Sequence, residues 1–398
     1  MGFWNKSLYL ILLIAFFGMM GGALMGPVLP ALMDPFGVTE SRVGLVLGVY
    51  TFFTAVTMPF VGSLIDSFGR KKVAFICLVV NGFAGVGCSI ASNFVVLLVF
   101  RAVQGVGIAG LMPVAMTLID DLYQEEEKVR AMGRLSTTTA VGGVLAPLLG
   151  GSLAFLNWRY PFYFYGLSIP VAIASISYLP DRNKTNLDDE PEKGLNRASE
   201  LKSCLMKVDL IAILASAFLI FFLLYTIVTF LPMKLVNQLG YTEMEAGIIL
   251  AALALTGAIV ALNIEKISPK SSFKPLISLG FLLTGSGVIL LSISPTIKQI
   301  IPSLLIFGAG MGLIQPLLND VVTDLAPDTA VGTTTSIYNT MKYVGQTAAP
   351  LFFGWILIST NLNTVFLVSG LIGITGAIIA AIQTQRKNKK PKNKELTR

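Results

Sequence analysis

The sequence predicts an all-α membrane protein with twelve transmembrane helices arranged as two six-helix halves. Composition is the first observation, because 54% of the 398 residues are apolar, only 13% are charged and the mean hydropathy is +0.75. A soluble domain carries about 25% charged residues, whereas lipid lets apolar side chains face outward without cost. The other two observations are apolar runs long enough to cross a bilayer and an internal repeat that divides the chain.

Apolar runs of at least ~18 residues can cross the hydrocarbon core as helices, because a helix satisfies its own backbone groups. The first run of this chain is too long to be the apolar core of a secretory signal, so we expect it to be retained. The predicted spans are twelve in number, at 8–33, 43–65, 73–92, 94–119, 131–156, 160–179, 209–236, 244–265, 274–294, 298–321, 333–358 and 363–385.

Positive charges predict the orientation, since Lys and Arg in short loops stay on the cytoplasmic side. With both ends of the chain placed inside, the inner segments hold most of the 29 Lys and Arg residues. The outer segments hold only Arg42, Arg159, Lys234 and Lys298. We therefore predict a multi-pass protein of the cell membrane, in contact with lipid and with both termini in the cytoplasm. The net charge of +7 reflects this topology and does not indicate nucleic-acid binding.

The longest polar interruption, PDRNKTNLDDEPEKGLNRASELKS, lies between the sixth and seventh spans. The segments on its two sides match without a gap: GVGIAGLMP at 105–113 aligns with GAGMGLIQP at 308–316, and VGGVLAPLLGG at 141–151 with VGQTAAPLFFG at 344–354. Parallel repeats of this kind build transporters that alternate access around a site at the midplane. The predicted units are an N-terminal half at 1–180, a linker at 181–208, a C-terminal half at 209–385 and a basic tail at 386–398.

Several classes of function are disfavoured by what the sequence lacks. Histidine is absent and the three cysteines have no metal-ligand spacing, so no cofactor or metal is expected. No phosphate-binding loop and no nucleophile–base pair is recognisable, so we expect neither an enzyme nor ATP coupling. No obligatory protein partner is implied, and we expect a monomer that handles a small molecule. A receptor or structural membrane protein is a further alternative that topology alone does not exclude.

A polar loop between the second and third spans, GSLIDSFGRKK at 62–72, carries one acid, two glycines and three consecutive cations. Three cations would suffice to anchor the loop, but an acid at a helix end needs a donor, a cation or a positive helix end. The loop matches the pattern G-x-L-x-D-x-x-G-R-K-K at Gly62, Leu64, Asp66, Gly69, Arg70, Lys71 and Lys72. In this loop the chain resembles the major facilitator superfamily, which implies that superfamily's fold of twelve spans in two halves.

The resemblance implies a gating role for this loop at the cytoplasmic side. When the cavity opens outward, we expect Asp66 to approach the start of the eleventh helix at 333–335. In the same conformation we expect Arg70 to pair with Asp121 or a nearby acid, because each charge lacks a partner alone.

Two further motifs resemble the twelve-span drug/proton antiporter branch of that superfamily. In the fourth span, RAVQGVGIAG matches R-x-x-Q-G-x-G-x-A, with Arg101, Gln104 and Gly105 at its start. In the fifth span, GGVLAPLLGG is similar to the antiporter signature, with Ala146 where that signature has a glycine before its proline. Small residues at this spacing allow close helix packing. We predict a seam between helices 5 and 8, on which the halves rock, at Gly143, Pro147, Gly150 and Gly151.

Charge deep in the membrane marks the candidate substrate cavity, because an intramembrane ionisable residue is costly and is a functional candidate by default. Lys342 lies near mid-membrane in the eleventh span, and no acid in the sequence is an obvious partner. The candidate cavity residues are Met116, Tyr225, Gln315, Asn319, Asn339 and Lys342.

Many antiporters of this branch carry a carboxylate in helix 1, but here the first span contains no acid before Asp34. Two roles for Lys342 therefore stay open: it replaces that carboxylate as the proton carrier, or it attracts an anionic substrate. The resemblance implies a secondary transporter that works by alternating access and exports drug-like or amphipathic molecules, driven by a proton gradient. The alternative is a carrier for an organic anion, sugar or lipid-linked substrate on the same fold.

Overall fold

A computed structural model describes residues 3–180, 208–267, 274–326 and 331–388. Throughout these ranges the chain is helical apart from short connections. Residues 181–207 of the predicted linker and residues 389–398 of the predicted tail lie outside the described residues. The predicted domain division stays a prediction.

The described helices form twelve rods, labelled α1 to α12 in chain order. The N-terminal rods are α1 (Phe3–Ala23, continued by the turn Gly26–Val28 and by Leu29–Phe36), α2 (Glu40–Val43 and Leu45–Phe68), α3 (Arg70–Ser89), α4 (Phe94–Ala109 and Leu111–Leu122), α5 (Glu125–Leu156) and α6 (Tyr160–Tyr165 and Ser168–Tyr178). The C-terminal rods are α7 (Val208–Met233 and Lys234–Gln238), α8 (Glu243–Leu262, followed by Ile264–Ile267), α9 (Lys274–Ser292), α10 (Ile297–Leu325), α11 (Val331–Leu357) and α12 (Leu362–Asn388).

Ten of the described rods are long and apolar enough to cross a membrane. The rod α6 is not among them because it consists of two pieces of 6 and 11 residues. The rod α11 is not among them because its first half, TTTSIYNTMKY at 333–343, is rich in hydroxyl and amide groups. The prediction of a helical multi-pass membrane protein is confirmed, whereas the number of twelve spans stays a prediction.

Prolines interrupt three rods that the sequence pattern predicts as single runs. A proline has no N–H for the carbonyl four residues earlier, so the helix bends or ends there. Pro27 lies in the turn that divides α1, Pro113 follows the bend of α4 at Gly110, and Pro170 follows the break in α6. The predicted runs at 8–33, 94–119 and 160–179 are therefore each divided.

Equivalent helices pack against each other in the two halves. In the N-terminal half α3 packs on α4 and α6, α2 on α4, and α1 on α5. In the C-terminal half α9 packs on α10 and α12, α8 on α10, and α7 on α11. The packing thus repeats in the order that the internal sequence repeat indicates.

The two halves meet along α2 and α11 and along α5 and α8. We call the side on which α1 begins and α6 ends the terminal side; there the Ser7 hydroxyl donates to the Tyr178 carbonyl at 3.0 Å. The opposite side is the distal side. On the distal side Thr347 Oγ1 donates to Thr51 Oγ1 at 2.9 Å, which joins α11 to α2.

Glycines allow the backbones of the two halves to touch on the distal side. A Cβ atom added to Gly151 of α5 would overlap the backbone of Glu243, and one added to Gly247 of α8 would overlap the Pro147 carbonyl. On the terminal side, a Cβ added to Gly62 or Gly133 would meet nothing within 4 Å. The halves touch on the distal side, whereas Gly62 and Gly133 make no such contact on the terminal side, and we describe the terminal side as open in this sense.

We predict that Gly151→Leu weakens the distal closure, because the added side chain has no room against the α8 backbone. Spin labels at positions 42 and 361, which are both exposed on the distal side, report the separation of the halves in a cysteine-free background. The distance between the labels should lengthen in Gly151→Leu and stay unchanged in the control Gly133→Leu. An unchanged distance in a folded Gly151→Leu protein would contradict the seam.

Candidate functional site

The loop between α2 and α3 is built around Gly69. Its φ of +84° is a backbone conformation that glycine adopts readily and other residues avoid. The next residue, Arg70, has its Nε 2.8 Å from Asp121 Oδ2, which joins the start of α3 to the end of α4. The sequence led us to expect this pair when the terminal side is closed. It is present in this conformation, because both residues belong to the same half, and its presence in the outward-open conformation stays a prediction.

Other predicted members of this loop differ in exposure. Asp66 is exposed at the end of α2 and Lys71 is half-buried at the start of α3. No Cβ contact would form at Gly62. The predicted approach of Asp66 to residues 333–335 concerns the opposite conformation and stays a prediction.

The link between α4 and α5 adds ion pairs at the terminal side. Lys128 pairs with Asp120, and Arg130 Nη2 lies 3.1 Å from Glu126 Oε2. Beside them burial, with a smaller contribution from Glu127, raises the pKa of the Tyr123 hydroxyl. Tyr123 therefore stays neutral, and the charge of this link resides in its Lys, Arg, Asp and Glu side chains.

Arg101 of α4 is fully buried and all its described contacts lie within the N-terminal half. Its Nε donates to the Val46 carbonyl at 3.1 Å, Nη1 to Gln104 Oε1 at 2.7 Å and Nη2 to the Gly21 carbonyl at 3.4 Å. The guanidinium lies 4.2 Å from the centre of the Tyr50 ring. With each nitrogen engaged in this way, Arg101 joins α1, α2 and α4 and is not placed to receive a substrate.

The carbonyl of Gly21 needs such a donor because α1 ends just beyond it. Met25 N–H, four residues on, bonds to the Gly22 carbonyl at 3.1 Å instead. The Tyr165 hydroxyl donates to the Gly21 carbonyl at 3.0 Å, in addition to Arg101. A buried carbonyl without a partner is costly, so Arg101 and Tyr165 stabilise the break in α1.

Asn81 of α3 and Ser168 of α6, which lie near Arg101, were not predicted from the sequence. Gln104 Nε2 donates to Asn81 Oδ1 of α3 at 3.2 Å, and Asn81 Nδ2 lies 3.4 Å from Ser168 Oγ of α6. An asparagine inside an apolar run is a signal that could have found Asn81. The neighbouring Gly105 has a structural role, because a Cβ there would overlap the Tyr50 carbonyl.

The residues of α5 that were predicted to form the seam lie against two different helices, α8 and α1. Pro147 and Gly151 contact α8, as predicted, whereas a Cβ on Gly150 would overlap the Leu24 carbonyl after α1. A Cβ on Gly143 would meet only Met19 of α1, at 3.5 Å. A Cβ on Gly143 would therefore not reach α8, although its four-residue spacing places it on the same side of α5 as Pro147; it lies one turn closer to the terminal side.

Lys342 lies on α11, where its ammonium is surrounded by neutral groups. Nζ donates to Asn339 Oδ1 at 3.2 Å and lies 5.0 Å and 5.3 Å from the ring centres of Phe221 and Tyr338. The side chain is partly exposed. Within the part of the chain that the structure describes, no carboxylate pairs with it.

The other candidate cavity residues occupy different surroundings. Met116 is 41% exposed on α4, Asn319 is exposed on α10 and Gln315 is half-buried one turn away. Tyr225 is instead buried between the halves, since a Cβ on Gly22 of α1 would overlap its hydroxyl. Tyr225 thus belongs to the distal closure more than to the open space.

Comparisons with known proteins agree with this geometry. The chain matches a family model described as Major Facilitator Superfamily over residues 11–350. It is 27% identical to the bacillibactin exporter of Bacillus subtilis (strain 168), over 94% of this chain and 95% of that protein. It is 24% identical to the quinolone resistance protein NorA of Staphylococcus aureus (strain COL), over 97% of this chain and 98% of that protein.

Among solved structures, a bacterial homolog of the human lysosomal transporter Spinster, in an inward-facing and occupied conformation, superposes with a TM-score of 0.81. The alignment covers 97% of each chain at 18% identity. At that identity the likeness concerns the fold alone. The fold class and the family resemblance predicted from the motifs are both confirmed.

We predict that Arg101→Met destabilises the protein by about 3 kcal/mol, because it leaves buried carbonyl acceptors without donors. Unfolding of the purified protein in mixed micelles measures the loss. Arg42→Met is the matched control, since Arg42 is exposed on the distal side and its removal should change stability little. Equal stability of the Arg101→Met and parental proteins would contradict this bracing role.

Proposed function

The chain belongs to the major facilitator superfamily, and from this premise we propose that it exports drug-like or amphipathic molecules by alternating access, driven by a proton gradient. It is a multi-pass membrane transporter and not an enzyme. The observation that carries the proposal is the pairing of a distal closure with a space open to the terminal side. A site between two halves that is accessible from one side only is what alternating access requires.

The contacts across the distal closure support a rocking motion. The α5–α8 seam consists of backbone contacts at glycine, and the α2–α11 seam adds the hydrogen bond between Thr347 and Thr51. Near the rim, Asn237 Nδ2 donates to Glu40 Oε1 at 2.8 Å. None of these contacts is an ion pair or a covalent bond, so separating the halves here would leave no charged group of this set without its partner.

The direction of transport follows from the orientation. The positive-inside rule favours a cytoplasmic terminal side, because Arg70, Lys72, Arg130 and Arg134 all lie there. The open space would then load from the cytoplasm and release outside. The exporters to which the chain is 24–27% identical support this direction. We expect a monomer in the cell membrane with cytoplasmic termini.

We expect the terminal side to close through Asp66. In the present conformation its carboxylate is exposed, and the positive N-terminal end of α11 is the partner that closure would bring to it. Closing both sides alternately needs a contact that forms on this side only when the distal contacts break. Asp66 meets that need because it lies at the terminal end of α2, the helix whose distal part packs against α11.

The proposal is tested by transport in proteoliposomes with an imposed pH gradient. The panel consists of cationic, anionic and neutral amphiphiles, loaded on the side that the termini face. We expect at least one class to move against its concentration gradient while the pH gradient lasts and to stop when a protonophore is added. Failure of every class under every gradient would overturn the exporter assignment.

We predict that Asp66→Asn lowers the transport rate roughly tenfold or more, since the neutral amide interacts only weakly with a helix N-terminus. The protein should stay folded and inserted, as judged by size-exclusion chromatography. Asp34→Asn is the matched control, because Asp34 is an exposed acid at the distal end of α1. Transport by Asp66→Asn at the parental rate would show that the gate lies elsewhere.

A further inference from the structure

The two halves differ in polarity at positions that the internal repeat makes equivalent. The repeat aligns Met112 and Met116 of α4 with Gln315 and Asn319 of α10. The same alignment pairs Thr139 of α5 with Lys342 of α11. The N-terminal half therefore has two methionines and a threonine where the C-terminal half carries two amides and an ammonium.

The ammonium of Lys342 has only neutral neighbours among the described residues. Aromatic faces at 5.0 and 5.3 Å attract a cation but bring no negative charge, and Asn339 is a neutral acceptor. An ammonium has three donors, and one protein acceptor occupies one of them. The side chain is partly exposed, so its remaining donors are accessible to a ligand.

Lys234, in the same half, differs from Lys342 because its ammonium makes two hydrogen bonds to the protein. It is 4% exposed and donates to the Leu291 carbonyl at 2.7 Å and to Asn363 Oδ1 at 3.0 Å, at the end of α9. A cation at a helix C-terminus is a structural contact. Lys342 caps no helix end and makes one such bond, so its charge is available to a ligand.

We infer that the transported molecules are amphipathic organic anions, whose acidic group binds Lys342 while an apolar body lies against Met116 of the N-terminal half. The inference rests on the proposed function and names the substrate class of its site. A carboxylate, a catecholate and a phosphate share the required chemistry, an anionic oxygen that accepts from an ammonium. A lipophilic cation would instead meet a like charge at this depth, where the dielectric is low.

The test is binding to purified protein in nanodiscs, with three probes that share one apolar body: 6-phenylhexanoate, 6-phenylhexanamide and 6-phenylhexylamine. Calorimetry against empty nanodiscs removes the contribution of lipid partition. The carboxylate should have a Kd at least about tenfold lower than the amide, as a charge-assisted hydrogen bond provides. The amine should bind most weakly.

Variants test whether the ammonium of Lys342 causes the preference for the carboxylate over the amide. Lys342→Met should make the carboxylate bind no better than the amide, and Lys342→Arg should retain the preference because guanidinium also pairs with anionic oxygen. Asn339→Asp should remove it as well, since the new carboxylate lies beside Nζ and competes for it. Lys266→Met is the control, because Lys266 is an exposed lysine of the same half outside this space.

Tighter binding of the amine than of the carboxylate would overturn the inference, and so would an undiminished carboxylate preference in folded Lys342→Met and Asn339→Asp. Binding in nanodiscs needs neither a gradient nor turnover. A carboxylate preference that depends on Lys342 would therefore uphold the inference even if proteoliposomes showed no transport and the exporter assignment failed.

Discussion

Polar groups inside a bilayer have no water to bond to, and the rest of this structure depends on how the chain meets that constraint. Where Pro27 helps to end the helical run of α1, the Gly21 carbonyl loses its intrahelical donor and takes donors from Arg101 and Tyr165. The N-terminal half is thereby tied together around a break. A helix that bends near the middle of the membrane becomes possible only because neighbouring helices supply the missing bonds.

The same constraint explains why the contact between the halves is made of backbone and hydroxyl groups. Charged side chains there would be stranded in hydrocarbon whenever the halves separate, whereas a glycine seam exposes little that water must solvate. The ion pairs lie at the terminal side, as between Arg70 and Asp121, and they join helices of one half. Each half can therefore move as a body without losing its own polar contacts.

Much of this architecture could be predicted from the sequence, because lipid demands long apolar runs and the gate loop has an unusual residue pattern. What could not be predicted depends on where neighbouring helices stay in contact and on which side chains the fold brings together. Gly143 and Gly151 lie in one motif, yet only Gly151 contacts α8. Asn81 carries no motif at all, and its importance arises from a fold that brings Gln104 and Ser168 to it.

The neutral surroundings of Lys342 also make the transport cycle sensitive to the membrane potential. Its contacts, Phe221, Tyr338 and Asn339, all belong to the C-terminal half, so the charge travels with that half when it reorients. Moving one elementary charge across the whole membrane potential involves about 2.3 kcal/mol per 100 mV, and a rocking half carries it through a fraction of that field. A bound anion cancels the charge. Voltage would thus act on the return of the empty carrier and leave the loaded step almost untouched.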